Sequence, residues 1–417
     1  MDLRLLRTDP EKVAFSMRHR GADIDLDALI ELDRQHRSLV TDVDNLRAEL
    51  NRAQKAIGKL SPEERPQAIA RNKQAGADLK DLEAQLAQKA QELEAAVLLV
   101  PNLVHPDSPP GREDAELRKV GTPRAFDFAP ADHLTLGEDL GIIDVKRAAK
   151  VSGPRFAILR GKGALLELAL VRFVLDRLMA VGFEPVIPPV LVKEEAMYGT
   201  GFFPTDEAQV YKTADDDLYL AGTSEVPIAG MHAGEIFSAK ELPVRYAGIS
   251  TCFRREAGTY GKDTRGIIRV HQFDKVEMFS FCRPTESDNE HQAILAEEEG
   301  IFQALEIPYK VLDIASGELA APNYRKFDIE AWLPGADRWL EVTSCSNDWD
   351  FQARRLGIRF KEGESGTDLV HTLNGTAIAV GRCIVALLEN HQQADGSVRI
   401  PEALRPYTGF EEVAPKG

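Results

Sequence analysis

Two long apolar stripes near the start of the chain restrict its fold more than any other feature. From residue 27 onward Leu29, Leu32, Leu39, Val43, Leu46, Leu50, Ala53, Ile57 and Leu60 recur at heptad-like intervals, with only His36 breaking the pattern. Such spacing lines one continuous seam on a single long helix. The pattern stops over residues 58–66, where Ser61-Pro62-Glu63-Glu64 offers a capping residue, a proline for the first helical position and a glutamate three residues on. A second stripe through Leu79, Leu82, Leu86, Leu93 and Val97 runs until Pro101 ends it. Long helices joined by a short turn bury their seams against each other or against a partner chain, and an antiparallel hairpin arm over about residues 27–100 is the expected form.

Charge is uneven along this arm. Residues 47–73 carry seven basic side chains, Arg47, Arg52, Lys55, Lys59, Arg65, Arg71 and Lys73, against three acids, whereas the whole chain has a formal net charge of -16. An acidic protein does not bind nucleic acid through its overall field, so any RNA contact must be local. A basic tip suits an RNA backbone, because phosphate attraction is short-ranged at cellular salt. A solvated coiled coil used for dimerisation or spacing would carry similar charge, and the spacing of these residues leaves both readings open.

The 417 residues exceed one ordinary core. The prolines at 101, 106, 109 and 110 read as a linker, which gives an N-terminal domain over residues 1–110 and a second domain over residues 111–417. Beyond the linker short β-rich runs dominate, at 184–191, 218–221, 245–251, 275–281, 326–332 and 339–344, with helices expected at 165–181, 286–305 and 377–391. Consecutive strands without regular helical crossovers imply an antiparallel sheet flanked by helices, an α+β fold. With 43% hydrophobic and 28% charged residues, and no apolar run of signal-peptide or membrane-span length, the expectation is a globular cytoplasmic protein with no membrane partner. Cys252, Cys282, Cys345 and Cys383 are scattered, so they read as reduced and buried.

Three segments of the second domain are unusual for a structural sheet. The first is Ser250-Thr-Cys-Phe-Arg-Arg-Glu256, a charged glycine-rich loop over 257–269, then Val270-His-Gln-Phe-Asp-Lys-Val-Glu277. Strands of this kind set Arg254, Glu256, Phe273, Lys275 and Glu277 along one face. Unpaired buried charge costs several kcal/mol, so that face must be wet, paired or turned to a charged ligand. The second is Trp339-Leu-Glu-Val-Thr-Ser-Cys-Ser346, where Glu341 and Ser344 supply hard oxygens of the kind that hold Mg²⁺ beside phosphates. The third is Leu373-Asn-Gly-Thr-Ala-Ile-Ala-Val-Gly-Arg382, read as a strand turning through Asn-Gly-Thr into an apolar helix with a single arginine over the sheet's end.

These segments resemble motifs two (about 245–281) and three (about 370–391) of the class II aminoacyl-tRNA synthetases, and residues 165–189, a helix followed by Gly182-Phe-Glu-Pro-Val-Ile-Pro-Pro189, resemble motif one. Thr223-Ser224-Glu225, Phe253-Arg-Arg-Glu, His271-Gln-Phe-Asp-Lys-Val-Glu277, Ser344-Cys-Ser-Asn-Asp-Trp-Asp-Phe-Gln-Ala-Arg354 and Leu373-Asn-Gly-Thr are similar to the bacterial-type seryl-tRNA synthetases, in order along essentially the whole chain. The resemblance implies an antiparallel catalytic sheet of about six to eight strands, flanked by helices and preceded by an antiparallel helical coiled-coil arm. It also implies ligation of L-serine to tRNA-Ser at the expense of ATP and Mg²⁺ by a homodimer, with tRNA-Sec as a second candidate acceptor.

On this resemblance Arg254 and Arg382 are catalytic, Arg254 holding the α-phosphate and the serine carboxylate and Arg382 the γ-phosphate. Serine would meet Thr223, Ser224, Glu225, Arg254, Glu277, Asn374 and Thr376. ATP would meet Arg254, Arg255, Glu256, Val270, Phe273, Glu341, Val342, Thr343, Ser344 and Arg382, with Phe273 stacked on adenine and Glu341 and Ser344 carrying the metal. The basic arm residues would grip the long variable arm of the tRNA, and Lys262, Arg265 and Arg269 would guide its acceptor end. A carrier-loading relative would resemble the catalytic part and lack the arm, while a coiled-coil scaffold would leave the charged sheet face unexplained.

Overall fold

The computed structural model describes residues 2–258, 265–363 and 366–415. The chain forms two compact units, Met1–Pro101 and Asn102–Gly417.

In the first unit α1 (Leu3–Thr8) and α2 (Pro10–Arg20) lie at the root of two long helices, α3 (Leu26–Ile57) and α4 (Arg65–Leu98), which pack side by side as the stripes require. Asp25 caps α3, its carboxylate accepting from Ala28 N at 2.9 Å. Leu29, Val43 and Leu93 are buried along the seam, while Ala53 is exposed, so the seam thins where its residues become small. One acid interrupts the root: Asp33 is buried and accepts from Arg7 Nε at 2.9 Å and Arg37 Nε at 3.0 Å, and the Arg7 hydrogen bond holds its carboxyl below the usual range. Regular α4 begins at Arg65, not at Pro62. Ser61 N and Oγ donate to Glu64 Oε2 at 3.2 and 2.8 Å, so the capping contact forms within the turn.

The second unit begins at Asn102, nine residues before the expected start at 111, because the proline-rich stretch docks onto it. Asn102 Nδ2 donates to Pro322 O and Asp348 O, both at 2.8 Å, and His105 N donates to Tyr324 O at 2.9 Å. Its main sheet has eight strands: β1 (Ala115–Val120), β2 (Glu184–Val186), β3 (Val244–Phe253), β4 (Gln272–Cys282), β5 (Tyr309–Asp313), β6 (Arg325–Leu333), β7 (Arg338–Trp349) and β8 (His371–Ala379). Their order is β1-β5-β6-β7-β8-β4-β3-β2, antiparallel throughout except for the parallel β2–β3 pair. The helices needed below are α5 (Lys162–Ala180), α6 (Glu194–Thr200), α7 (Glu225–Met231), α8 (Ser287–Ala304), α9 (Phe351–Leu356) and α10 (Val380–His391).

Apolar side chains of α5, α8 and α10, among them Leu170, Ile294 and Ile384, join Val276 and Met278 of β4 in the largest core cluster. The other face of β4 therefore carries Phe273, Lys275 and Glu277. Asn374-Gly375-Thr376 is not a turn but the middle of β8, with Gly375 opposite both Met278 and Cys345. Glycine is required there: a Cβ would stand 2.3 Å from Ile294 Cγ2 on α8. All four cysteines are buried and free. Among the described residues no helix is long and apolar enough to cross a membrane.

Candidate active site

The charged face of β4 floors a cavity of about 230 Å³ whose walls come from the segment just after β3, from β7 and β8, and from the start of α10. At one end lies a cluster of buried carboxylates and amides. Glu225, at the start of α7, accepts from Gln352 Nε2 at 2.7 Å through Oε1 and from Asn374 Nδ2 at 3.2 Å through Oε2. The same Asn374 nitrogen donates to Glu277 Oε1 at 3.1 Å, and Thr376 Oγ1 donates to Glu277 Oε2 at 3.2 Å. Lys275 Nζ forms an ion pair with Glu277, and both side chains are buried. Burial, reinforced by Asp348 and Glu277, pushes the Glu225 carboxyl up to about 8, against the opposing pull of Lys275 and Gln352. Such a pocket is rich in acceptors, which suits a small ammonium-bearing ligand with a hydroxyl.

The other end is cationic. Arg254 donates from Nε to Gly222 O at 3.3 Å and stands 5.4 Å from the centre of the Phe273 ring. Arg382 donates from Nη1 to Glu341 O at 2.7 Å and from Nε to Ile268 O at 3.4 Å, and lies 3.4 Å from Glu341 Oε1. Ring contact with a cation is thus made by Arg254, while Arg382 reaches across to β7. Val270 and Val342 line the cavity between them. Glu256 adopts φ +50° and accepts from Arg269 Nη1 at 2.6 Å. Partial burial pushes the Glu341 carboxyl up, but the fields of Arg382, Lys326, Arg254 and Arg269 more than offset it and hold it below its ordinary value.

Glu341 and Ser344 both open on this cavity although they are three residues apart on one strand. A bulge makes that possible. Thr343 pairs with Ile329 and Glu341 with Glu330, so Val342 has no partner and the alternation resets. Thr343 turns its hydroxyl to Glu298 Oε2 at 2.9 Å, where burial drives the Glu298 carboxyl well above the usual range.

Three expected residues are placed otherwise. Ser224 lies under the site, its Oγ donating to Gly248 O at 3.1 Å, because its neighbour Glu225 takes the cavity side. Arg255 is exposed and lines a separate groove with Tyr211 and Lys212. Arg269, expected to guide an acceptor end, lines the main cavity through its pairing with Glu256. Arg265 is exposed beside Asp132 at 3.8 Å, and Lys262 lies outside the described residues. On the arm, Arg47, Arg52, Lys55, Lys59, Arg65, Arg71 and Lys73 are all exposed. Arg65 also donates to Leu60 O at 3.0 Å and Gly58 O at 3.3 Å, which ties the turn between the helices. Alternation along β4 places Lys275 on the charged face but gives it no role there, and Gln352 stands in the Ser344–Arg354 motif with nothing local to mark its contact with Glu225.

Family comparisons fit this geometry. Residues 209–391 match the tRNA synthetase class II core domain (G, H, P, S and T), and residues 1–104 match the seryl-tRNA synthetase N-terminal domain. The chain is 51% identical to the serine–tRNA ligase of Rhodococcus jostii (strain RHA1), covering 100% of each chain. The chain belongs to the seryl-tRNA synthetase family. Membership explains why the arm and the charged sheet occur together in one chain. The crystal structure of seryl-tRNA synthetase from Pyrococcus horikoshii complexed with ATP matches at a TM-score of 0.96, with 42% identity and 100% coverage of both chains. A cytoplasmic serine-tRNA ligase from Naegleria fowleri, in complex with AMP, matches at 0.89 with 32% identity, covering 98% of this chain and 96% of that one.

Proposed function

We propose that the protein activates L-serine with ATP and transfers it to the 3′ end of tRNA-Ser, with tRNA-Sec a second acceptor to be assayed. The observation that carries this reading is the junction of two opposed fields in one cavity: the acceptor-rich pocket of Glu225, Glu277, Asn374 and Thr376 directly beside Arg254. An amino acid's ammonium and hydroxyl fit the first field and its carboxylate the second. Arg254 holds that carboxylate against the α-phosphate, since a guanidinium bridges two anions with fixed geometry. One carboxylate oxygen attacks the α-phosphorus, the bond to pyrophosphate breaks, and Arg382 neutralises the leaving phosphates. The terminal adenosine hydroxyl then attacks the carbonyl carbon of the adenylate and AMP departs. Thr376 and Glu277 engage the substrate hydroxyl, so alanine and glycine leave them unpaired, and threonine is refused by volume.

Glu341 and Ser344 fit Mg²⁺ as two hard oxygen donors, one of them kept ionised by surrounding cations. Bound there together with the phosphates of ATP, Mg²⁺ would neutralise charge developing on pyrophosphate. Phe273 offers a stacking surface for adenine. Exposed Leu165 and Leu168, three residues apart on α5, support a homodimer built on this helix face. Leu168→Asp is expected to yield monomers by light scattering, and an unchanged mass would remove that assignment. We assign the arm to the variable arm of the tRNA on the other subunit, and the protein to the cytoplasm. The activity test is amino-acid-dependent ATP–pyrophosphate exchange. Serine should support it and alanine, glycine and threonine should not; a preference for another amino acid would overturn the reading.

A further inference from the structure

Gln352 is fully buried near the start of α9 and does not line the cavity. Its Nε2 donates to Glu225 Oε1 at 2.7 Å and lies 3.5 Å from Thr200 O. Two acceptors facing the nitrogen fix the amide's orientation, because the reverse would set Oε1 against a carboxylate. Among the described residues Gln352 Oε1 has no hydrogen-bond partner. A buried amide with one orphaned end is costly, so what retains it is the bond made by the other end. Other groups act on Glu225 from each side. Asp348 of β7 and Glu277 of β4 oppose its charge, Lys275 of β4 supports it, and Asn374 of β8 divides one donor between Glu225 and Glu277. Among the described residues Gln352 gives the shortest side-chain hydrogen bond to this carboxylate and bonds to no second one.

We propose that Gln352 is a positioning and specificity residue for the amino-acid substrate, holding Glu225 as the oriented, charged acceptor of the substrate ammonium. With one amide hydrogen bond on each oxygen, Glu225 keeps a lone pair on both for the incoming ammonium. The inference rests on reading the cavity as a serine site. Without the Gln352 donor, the carboxylate is left to the opposing fields of Asp348 and Glu277 and is more easily protonated or turned away.

Gln352→Met keeps the side-chain length and removes the donor. In serine-dependent ATP–pyrophosphate exchange the KM for serine should rise about 10- to 100-fold, the KM for ATP should stay within about twofold, and the acidic limb of kcat/KM for serine should move to higher pH. Inhibition by 3-hydroxypropanoate, which lacks the ammonium, should not change. In a Glu225→Gln background the same substitution should cost almost nothing further, as a shared role requires. Equal losses in both backgrounds, equal losses for serine and 3-hydroxypropanoate, or a fixed acidic limb would overturn the proposal. Should Gln352→Met not fold, Gln352→Asn withdraws the same donor by one methylene and should give the same pattern at about 3- to 10-fold. Absence of serine-dependent exchange in the unaltered protein would instead count against the serine reading itself.

Discussion

The arm and the catalytic cavity use the same charged residue types under opposite conditions. Apart from Asp33 at the root, arm charges stand in water, and even the interhelical pair between Arg47 Nη2 and Glu83 Oε1 at 2.7 Å joins two half-exposed side chains. Pairs of that kind contribute roughly 0–1 kcal/mol. In the cavity Lys275, Glu277 and Glu225 are buried, and each is satisfied by named neighbours. Removing one partner of the Lys275–Glu277 pair costs about 3–5 kcal/mol, because the other is left charged and dry. Arm charges are thus exchangeable in kind, provided their sign persists, whereas cavity charges are fixed by identity and position.

Reciprocal changes should separate the two regions most sharply. Deleting residues 27–100 should abolish tRNA charging while ATP–pyrophosphate exchange persists, and Arg254→Ala should lower exchange about 100- to 1,000-fold while tRNA binding by gel shift is kept. Loss of both activities in either variant would erase the division. A smaller effect concerns pH. The carboxyl of Glu225 is raised from 4.5 to about 8 in the folded protein, so its contribution to stability is complete below about 4.5 and is lost as pH rises through about 8. Serine brings an ammonium to that carboxylate, so the Tm gain on adding serine should be larger at about pH 8.5 than at about pH 6.5. A gain independent of pH would detach Glu225 from the ammonium. The smallest effect belongs to the arm: Arg47→Ala should change stability by less than about 1 kcal/mol in denaturant melts, and a larger loss would mean that arm charges are structural after all.

Much of this division was legible in the chain itself. Heptad spacing located α3 and α4, and the alternating charges of β4 announced a face that could not be a dry core. Where reading failed, a tertiary partner had decided the outcome. Asn374-Gly375-Thr376 carries the local signature of a turn, yet it continues a strand because β4 and β7 pair with it on both sides. The prolines after residue 101 look like a linker and instead dock through Asn102. Arg269 reads as one more loop cation until Glu256, in a left-handed conformation, turns to meet it. Gln352 is invisible to pattern because its meaning lies in a contact 127 residues distant.

The irregularity in β7 has its own consequence. A regular strand presents its odd and even members to different sides, so Glu341 and Ser344 could not share a ligand on one. Leaving Val342 out of the ladder is what lets a carboxylate and a hydroxyl three residues apart converge. In evolutionary terms this strand depends on its bulge more than on its spelling: replacement of Val342, or even its loss, keeps Glu341 and Ser344 on one side, but a residue gained opposite it in β6 would straighten the strand, send Glu341 to the helix-covered side and dismantle the candidate cation site without altering either of its donors.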